Sequence, residues 1–306
     1  MRVGIWGAGQ VGTALVYRLA STQFTSEIHW INQTLANIEY RAIDIQQGLA
    51  LARCCRTIES YEEDQARRVL PEIDLLVLTL GARVTEDLRR EGLYPENRRI
   101  YREKVLPALE GYKGLVLVVT NPVDLMTRVF ARETALAPRR VMGLGTVVET
   151  ARLRASLGSY LTPRHPAREV QAFMVGTHNE HCVVVAPERG VAQGTGLDPK
   201  VIAAARREVV LGADRVKLDT RSTLFPIVEG AVAVSRALAT DAGSILTVSV
   251  LNPEDADGLC YSVPCILGRA GVIQRLTGCL ADQDVEAGVK KCREKLRSVL
   301  QKAGEP

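Results

Sequence analysis

The segment Gly7-Ala8-Gly9-Gln10-Val11-Gly12 constrains this chain more than any other. It follows a short apolar run, residues 2–6, and precedes helical spacing over residues 13–19. Glycines at this spacing between a strand and a helix have separate tasks. The first closes a tight turn, the second lets the backbone approach a pyrophosphate, and the third lets the helix pack on the strand. The helix N-terminus then faces the phosphates, where its dipole and N–H groups favour negative charge. The pattern alone is weak, but its strand–turn–helix context points to dinucleotide binding, with Gly7, Gly9, Gln10, Val11 and Gly12 as the cradle.

The rest of the first half reads as the sheet such a turn requires. Residues 27–31 are strand-like and residues 37–52 have helical spacing. Residues 75–80 and 115–120 are continuous apolar runs of the kind found in strands covered on both faces, with a helical stretch at 96–109 between them. This alternation predicts a parallel sheet with right-handed crossovers. Beyond residue 143 the pattern changes. Strands are expected at 169–176, 182–187, 246–251 and 259–267, and helices at 199–212, 225–238 and 282–300. Strands grouped apart from helices suggest an α+β second domain. At about 150 residues per domain, the 306 residues are expected to divide into 1–143 and 144–306.

Composition excludes several classes of function. With 46% hydrophobic residues the chain has ample material for a core. No apolar run approaches the roughly 20 residues that span a bilayer, and no signal-type segment opens the chain. A soluble cytoplasmic protein with no membrane partner is expected. The net charge of +4 is small and scattered, so no nucleic-acid partner is expected. Seven cysteines, an odd number with no Cys-x-x-Cys pair, indicate reduced thiols rather than a disulfide framework or a zinc site, and no metal is expected.

An acid about 20 residues after the glycine turn ordinarily holds the adenosine ribose. Here the second strand ends Ile31-Asn32-Gln33-Thr34 and the acid is absent. Asn32 can bond a ribose hydroxyl but does not repel a 2′-phosphate. NAD is the expected cofactor, with NADP a serious competitor.

Further segments extend the pattern over essentially the whole chain. They are Ala42-Ile43-Asp44-Ile45-Gln46-Gln47-Gly48, Leu78-Thr79-Leu80-Gly81-Ala82, Thr120-Asn121-Pro122-Val123-Asp124, Glu149-Thr150-Ala151-Arg152, Gly176-Thr177-His178 and Ser262-Val263-Pro264-Cys265-Ile266-Leu267-Gly268. In order and spacing they resemble the L-lactate/malate dehydrogenase family, closer to its lactate dehydrogenase side. The resemblance implies an N-terminal Rossmann-type parallel sheet, an α+β C-terminal catalytic domain, and hydride exchange between a nicotinamide and a small 2-oxo or 2-hydroxy acid. It also implies a homodimer or homotetramer.

Hydride transfer to a ketone needs a proton donor at the oxygen, a cation polarising the carbonyl, and an anchor for the carboxylate. By the resemblance His178 is the acid–base group, since imidazole titrates near neutral pH. Arg152 is the carboxylate anchor, a planar fork that grips bidentately. Arg90, counted without gaps between Ala82 and Asn97, is the arginine of the closing loop. Asn121 holds nicotinamide and substrate. Thr79, Gly81, Ala82 and Arg83 match cofactor contacts, and Asn97 has a cofactor or a capping role. His181 is read as structural.

Two departures stand out. Glu149 replaces the family aspartate that pairs with the histidine. On an unchanged backbone its extra methylene moves the carboxylate by about 1.5 Å, enough to spoil a hydrogen bond, so a displaced helix or a weakened pair is expected. Asn179 adds bulk beside the ring. Val84 occupies the position where malate dehydrogenases place an arginine, and Phe225 narrows the same pocket, so a short apolar 2-oxo acid is expected. A malate dehydrogenase-like enzyme for dianionic substrates and an idle dinucleotide-binding module are the alternatives.

Overall fold

The computed structural model describes every residue except 53–55, 83–91, 162–163, 165, 180, 187–197, 221–222 and 306, and describes 212–220 by backbone alone. Arg83, Val84 and Arg90 therefore lie outside the described residues.

The chain opens with β1 (Arg2–Trp6), α1 (Gln10–Ala20), β2 (Glu27–Asn32), α2 (Glu39–Leu51), β3 (Thr57–Glu62) and β4 (Leu75–Leu78). It continues with α3 (Leu93–Ile100), β5 (Leu115–Val118), α4 (Val123–Glu133), β6 (Val141–Gly143) and α5 (Val147–Tyr160). The remainder is β7 (Phe173–Val175), β8 (Val183–Val185), α6 (Pro199–Thr220), α7 (Phe225–Thr240), β9 (Ser244–Leu251), β10 (Cys260–Gly268), β11 (Gly271–Arg275) and α8 (Gln283–Lys302). Among the described residues no helix is long and apolar enough to cross a membrane.

Nine strands form one sheet in the order β11-β10-β9-β6-β5-β4-β1-β2-β3. The six from β6 to β3 are mutually parallel, the Rossmann arrangement. β4 and β5 are buried along their whole length, as their unbroken apolar sequence requires. β9 to β11 are antiparallel and extend this sheet past β6, where Gly143 pairs with Ser249. Residue 143 marks a change of strand direction within a continuous sheet. A separate pair, β7 and β8, packs with α5 and α6 around Leu153, Leu157, Met174 and Val209.

Some elements departed from their sequence reading. β3 is an edge strand with only Ile58 fully buried, so no apolar run announced it. β6 has three residues, too few for a period. The strand expected at 169–176 shrinks to β7, preceded by a 3₁₀ turn, Ala167–Glu169. The helix expected at 96–109 begins at Leu93 and widens into a π turn, Tyr101–Val105, just before Pro107, which has no backbone N–H to donate.

The glycine turn is fixed by contacts on three strands. Gly7 donates to Ile31 O at 2.9 Å, and Trp30 Nε1 donates to Gly7 O at 2.9 Å. Thr79 N donates to Trp6 O at 2.9 Å. Gly7 has φ +125°, and a Cβ there would lie 2.6 Å from Leu80 N. A Cβ on Gly12 would lie 2.3 Å from Gly7 O. Gly12→Ala should therefore push α1 off the turn and destabilise the fold by about 1–3 kcal/mol, read as a lowered Tm. An unchanged Tm would show that the turn relaxes without cost.

Candidate active site

Glu149 and Arg152 lie one turn apart on α5 and so share a face. His178 follows β7 in a turn held against β10. Gly176 N donates to Ser262 O at 2.9 Å, and Ser262 N donates to Gly176 O at 2.7 Å. Gly176 has φ +95°, and a Cβ there would meet Cys292 Sγ at 2.7 Å, so the turn admits only glycine. This places His178 Nδ1 2.9 Å from Glu149 Oε2. Of the two expected outcomes, a displaced helix or a weakened pair, the weakened pair is not found: the longer arm lies at full hydrogen-bond distance. Glu149 Oε1 faces Arg152 Nη1 at 3.7 Å. An ionised Glu149 accepts from Nδ1–H, which leaves Nε2 to exchange a proton with a substrate.

A second carboxylate supports the same histidine. Asp124 Oδ2 accepts the backbone N–H of His178 at 2.9 Å, across 54 residues of sequence. Asn179 has its amide oxygen turned into the loop itself. Its Oδ1 accepts from Thr177 Oγ1 at 2.8 Å and from His181 N at 2.9 Å, so it shapes the turn. His181 sends its carbonyl to Cys292 Sγ at 3.2 Å.

On the cofactor side, buried Asn97 ties two segments together. Its Oδ1 accepts from Ala82 N and its Nδ2 donates to Asn121 O, both at 2.6 Å. Its side chain is thus a brace between backbone segments rather than a helix cap, and Gly81 lies against it, with room for a Cβ only 3.0 Å from Asn97 Oδ1. Thr79 Oγ1 donates to Trp6 O at 3.2 Å. Asn32 ends β2 with its Nδ2 3.4 Å from Thr34 O.

A cavity of about 1030 Å³ opens beside the glycine turn and Arg152; His178, Glu149, Asn32, Thr79, Gly81, Asn97 and Asn121 do not line it. It is lined by Gly9, Gln10, Thr13, Arg41, Arg152 and Phe225, among others. Phe225 begins α7 and is 78% exposed, so it forms a wall of the cavity rather than part of the core. A Cβ on Gly9 would meet nothing within 4 Å, so the turn leaves open space above the start of α1, whose N-terminus no side chain caps. That space suits a pyrophosphate. Another cavity, of about 780 Å³, opens at the other end of the strands beside Met1, Asp74 and Lys113 and holds none of these groups.

Comparison with known proteins shows the family and the fold. Residues 1–143 match the family described as lactate/malate dehydrogenase, NAD binding domain. The L-lactate dehydrogenase of Thermus aquaticus is 30% identical over 303 residues, covering 94% of each chain. The chain belongs to the lactate/malate dehydrogenase family. The L-lactate dehydrogenase of Salinibacter ruber is also 30% identical, over 93% of this chain and 92% of its own. A lactate dehydrogenase from a Medee basin deep-sea metagenome library shares the fold with a TM-score of 0.88 at 23% identity, covering 99% of this chain and 98% of its own. The malate dehydrogenase of Cryptosporidium parvum does so with a TM-score of 0.86 at 21% identity and the same coverage. The protein is thus a lactate dehydrogenase-like oxidoreductase that uses a nicotinamide cofactor.

Within this family frame, the two carboxylates beside His178 are shifted in opposite directions. Burial alone would raise the Glu149 carboxyl, but His178, then a backbone hydrogen bond at Glu149 itself, and then Arg152 outweigh it and hold it below the ordinary carboxylate range. Asp124 is as deeply buried, and there burial prevails: its carboxyl is pushed up to about 6 despite the bond from the His178 backbone. The sequence offered Asp124 only as part of a motif. Its task was hidden because its partner is distant in the chain.

The depressed Glu149 carboxyl carries a sign. Its stabilising contribution is present above the ordinary value of 4.5 and is lost as pH falls through its lower folded value. Glu149→Gln should therefore lower the Tm at pH 7, and the gap to the wild type should close on acidification below 4.5. Thermal melts across that range test the assignment, and a gap independent of pH would contradict it.

Proposed function

We propose that the protein interconverts a short apolar 2-oxo acid, pyruvate first, and its 2-hydroxy acid, with NAD(H) as cofactor and NADP(H) as a competitor. The observation that carries this reading is the His178–Glu149 hydrogen bond with Arg152 one helical turn along, at the edge of the cavity lined by the glycine turn. When bound, the nicotinamide supplies or accepts the hydride. Gly9 and the start of α1 would hold the pyrophosphate, with Gly7, Val11 and Gly12 shaping the turn. Thr79, Gly81 and Ala82 would line the cofactor, and Asn121 would hold nicotinamide and substrate, with Asn97 keeping Ala82 and Asn121 in place. Arg152 grips the substrate carboxylate and so orients the carbon that reacts. His178 gives its Nε2 proton to the carbonyl oxygen as the alcohol forms and takes it back in the reverse direction. Glu149 stabilises the imidazolium. Arg90 and Arg83 are assigned from the sequence to the alkoxide and the pyrophosphate. A cytoplasmic homodimer or homotetramer is proposed on family grounds.

The side chains assigned to the substrate's variable group, Val84 and Phe225, carry no charge. A distal carboxylate buried beside them would lack a partner, which is costly. Pyruvate, 2-oxobutyrate, 2-oxoisocaproate and oxaloacetate should be compared with both cofactors. Pyruvate or another short aliphatic acid is expected to lead. Oxaloacetate ahead by about tenfold in kcat/KM, or about 1.4 kcal/mol, would favour the malate dehydrogenase-like reading instead.

The catalytic assignment has its own test. His178→Ala should lower kcat by about 10²–10⁴ with NADH affinity unchanged. Arg152→Lys keeps a charge but loses the planar fork, so it should lose most activity, chiefly through a raised KM for the acid. Near-normal turnover of His178→Ala would move the assignment to another group. An intact wild type that binds NADH yet turns over no 2-oxo acid would leave the idle module as the reading.

A further inference from the structure

We propose that Glu305 is a positioning residue for the nicotinamide half of the cofactor: its buried carboxylate ties α3 to α4 and so keeps Asn121, the residue assigned to that half, in place. The inference rests on the dehydrogenase reading above and adds to it a residue from the far end of the sequence.

α8 ends at Lys302, and Gly304, at φ +71°, turns the chain back so that Glu305 N donates to Leu300 O at 2.9 Å. This turn sends the Glu305 side chain between α3 and α4, where it is 7% exposed. Its Oε1 accepts from Tyr94 Oη at 2.5 Å and lies 2.9 Å from Arg98 Nε, both on α3. Its Oε2 accepts from Arg128 Nη1 at 2.9 Å, on α4. Arg128 is itself buried, and its Nε and Nη2 reach Asp257 O. Tyr94 is fully buried, and burial first and then the Glu305 carboxylate raise its phenol, which stays a donor. One carboxylate thus receives two guanidinium groups and a phenol from two helices.

The same two helices carry the brace described above. Asn97 lies on α3 beside Arg98, and its side chain joins Ala82 N to Asn121 O, just before the start of α4. α3 and the α4 segment are therefore bridged twice, by Asn97 and by Glu305. Hydrogen bonds as short as those of Asn97 tolerate little displacement of one helix against the other. Another ion pair across this boundary, Arg102 with Glu133, is exposed to water and screened by it, whereas the Glu305 carboxylate is buried. Removing that carboxylate leaves two guanidinium groups around a buried seat with no acid between them, and movement of α3 away from α4 relieves the cost. Asn97 moves with α3, and the backbone at Ala82 and Asn121 loses its fixed spacing. The glycine turn, held by β2 and β4, is untouched by such a shift.

Two ligands separate positioning from general stability. NADH carries the nicotinamide, whereas ADP-ribose keeps the pyrophosphate and ends before it. The full-length wild type and Glu305→Ala are titrated with each by calorimetry, in the absence of 2-oxo acid. Glu305→Ala should weaken NADH by about fivefold or more, the size of effect that residues without ligand contact exert, and ADP-ribose by less than about twofold. Sodium formate, compared with sodium chloride at equal ionic strength, should return NADH affinity to Glu305→Ala and leave the wild type unchanged, because formate fits the seat among Tyr94, Arg98 and Arg128. Equal weakening of both ligands, or no change in either, would overturn the proposal, as would a loss that chloride repairs as well as formate. If the dehydrogenase reading failed instead, the wild type would turn over no 2-oxo acid while the loss specific to NADH persisted in Glu305→Ala. A misfolded Glu305→Ala is recognised by its melting curve, and Glu305→Gln, which keeps the length of the side chain without its charge, then replaces it under the two-ligand criterion.

Discussion

The close approach of backbone to backbone at the glycine turn is the constraint on which the site depends. Neither Gly7 nor Gly12 has space for a Cβ, because Leu80 N and Gly7 O already occupy it. This contact sets α1 over the end of β1, and the hydrogen bonds from Gly7 and Thr79 bind the turn to β2 and β4. α1 also packs beside α7, where Arg18 pairs with Glu229 at 2.6 Å, and Phe225 at the start of α7 lines the same cavity as Gly9.

The surroundings of His178 show how partners decide what burial does to a carboxylate. Glu149 and Asp124 both leave water, and desolvation opposes the ionised form of each. Glu149 meets the imidazole itself and a guanidinium, so it keeps its charge where a charge is useful. For Asp124 burial prevails over the backbone N–H that it accepts, and the like charge of Glu149 adds to the rise. One carboxylate therefore sets the tautomer of His178 and the other sets the position of its main chain.

Replacement of aspartate by glutamate in the histidine pair illustrates the limit of reasoning from side-chain length. A longer arm misses its partner only if both backbones stay where they were. Here α5 and the turn after β7 are placed by contacts of their own. Thr146 Oγ1 donates to Met174 O at 2.5 Å, and Met174 N donates to Thr150 Oγ1 at 2.9 Å. These bonds fix the helix at a distance that the glutamate spans.

The amino-acid sequence determined the glycine turn, the buried strands β4 and β5, and the order of the motifs, because each is written in local spacing: glycines where backbones touch, and apolar runs where both faces are covered. It did not reveal β3, whose polar edge carries no period, nor the joining of β9 to β6 through Gly143 and Ser249. Asn97 as a brace, Asp124 behind His178, and Glu305 beside Arg128 were equally invisible, since each acts on residues at least 15 positions away. Spacing reports which face of an element a residue occupies. Only the packed sheet decides which distant atom that face meets, because that distance is set by the sum of the contacts between elements and by no single segment of the chain.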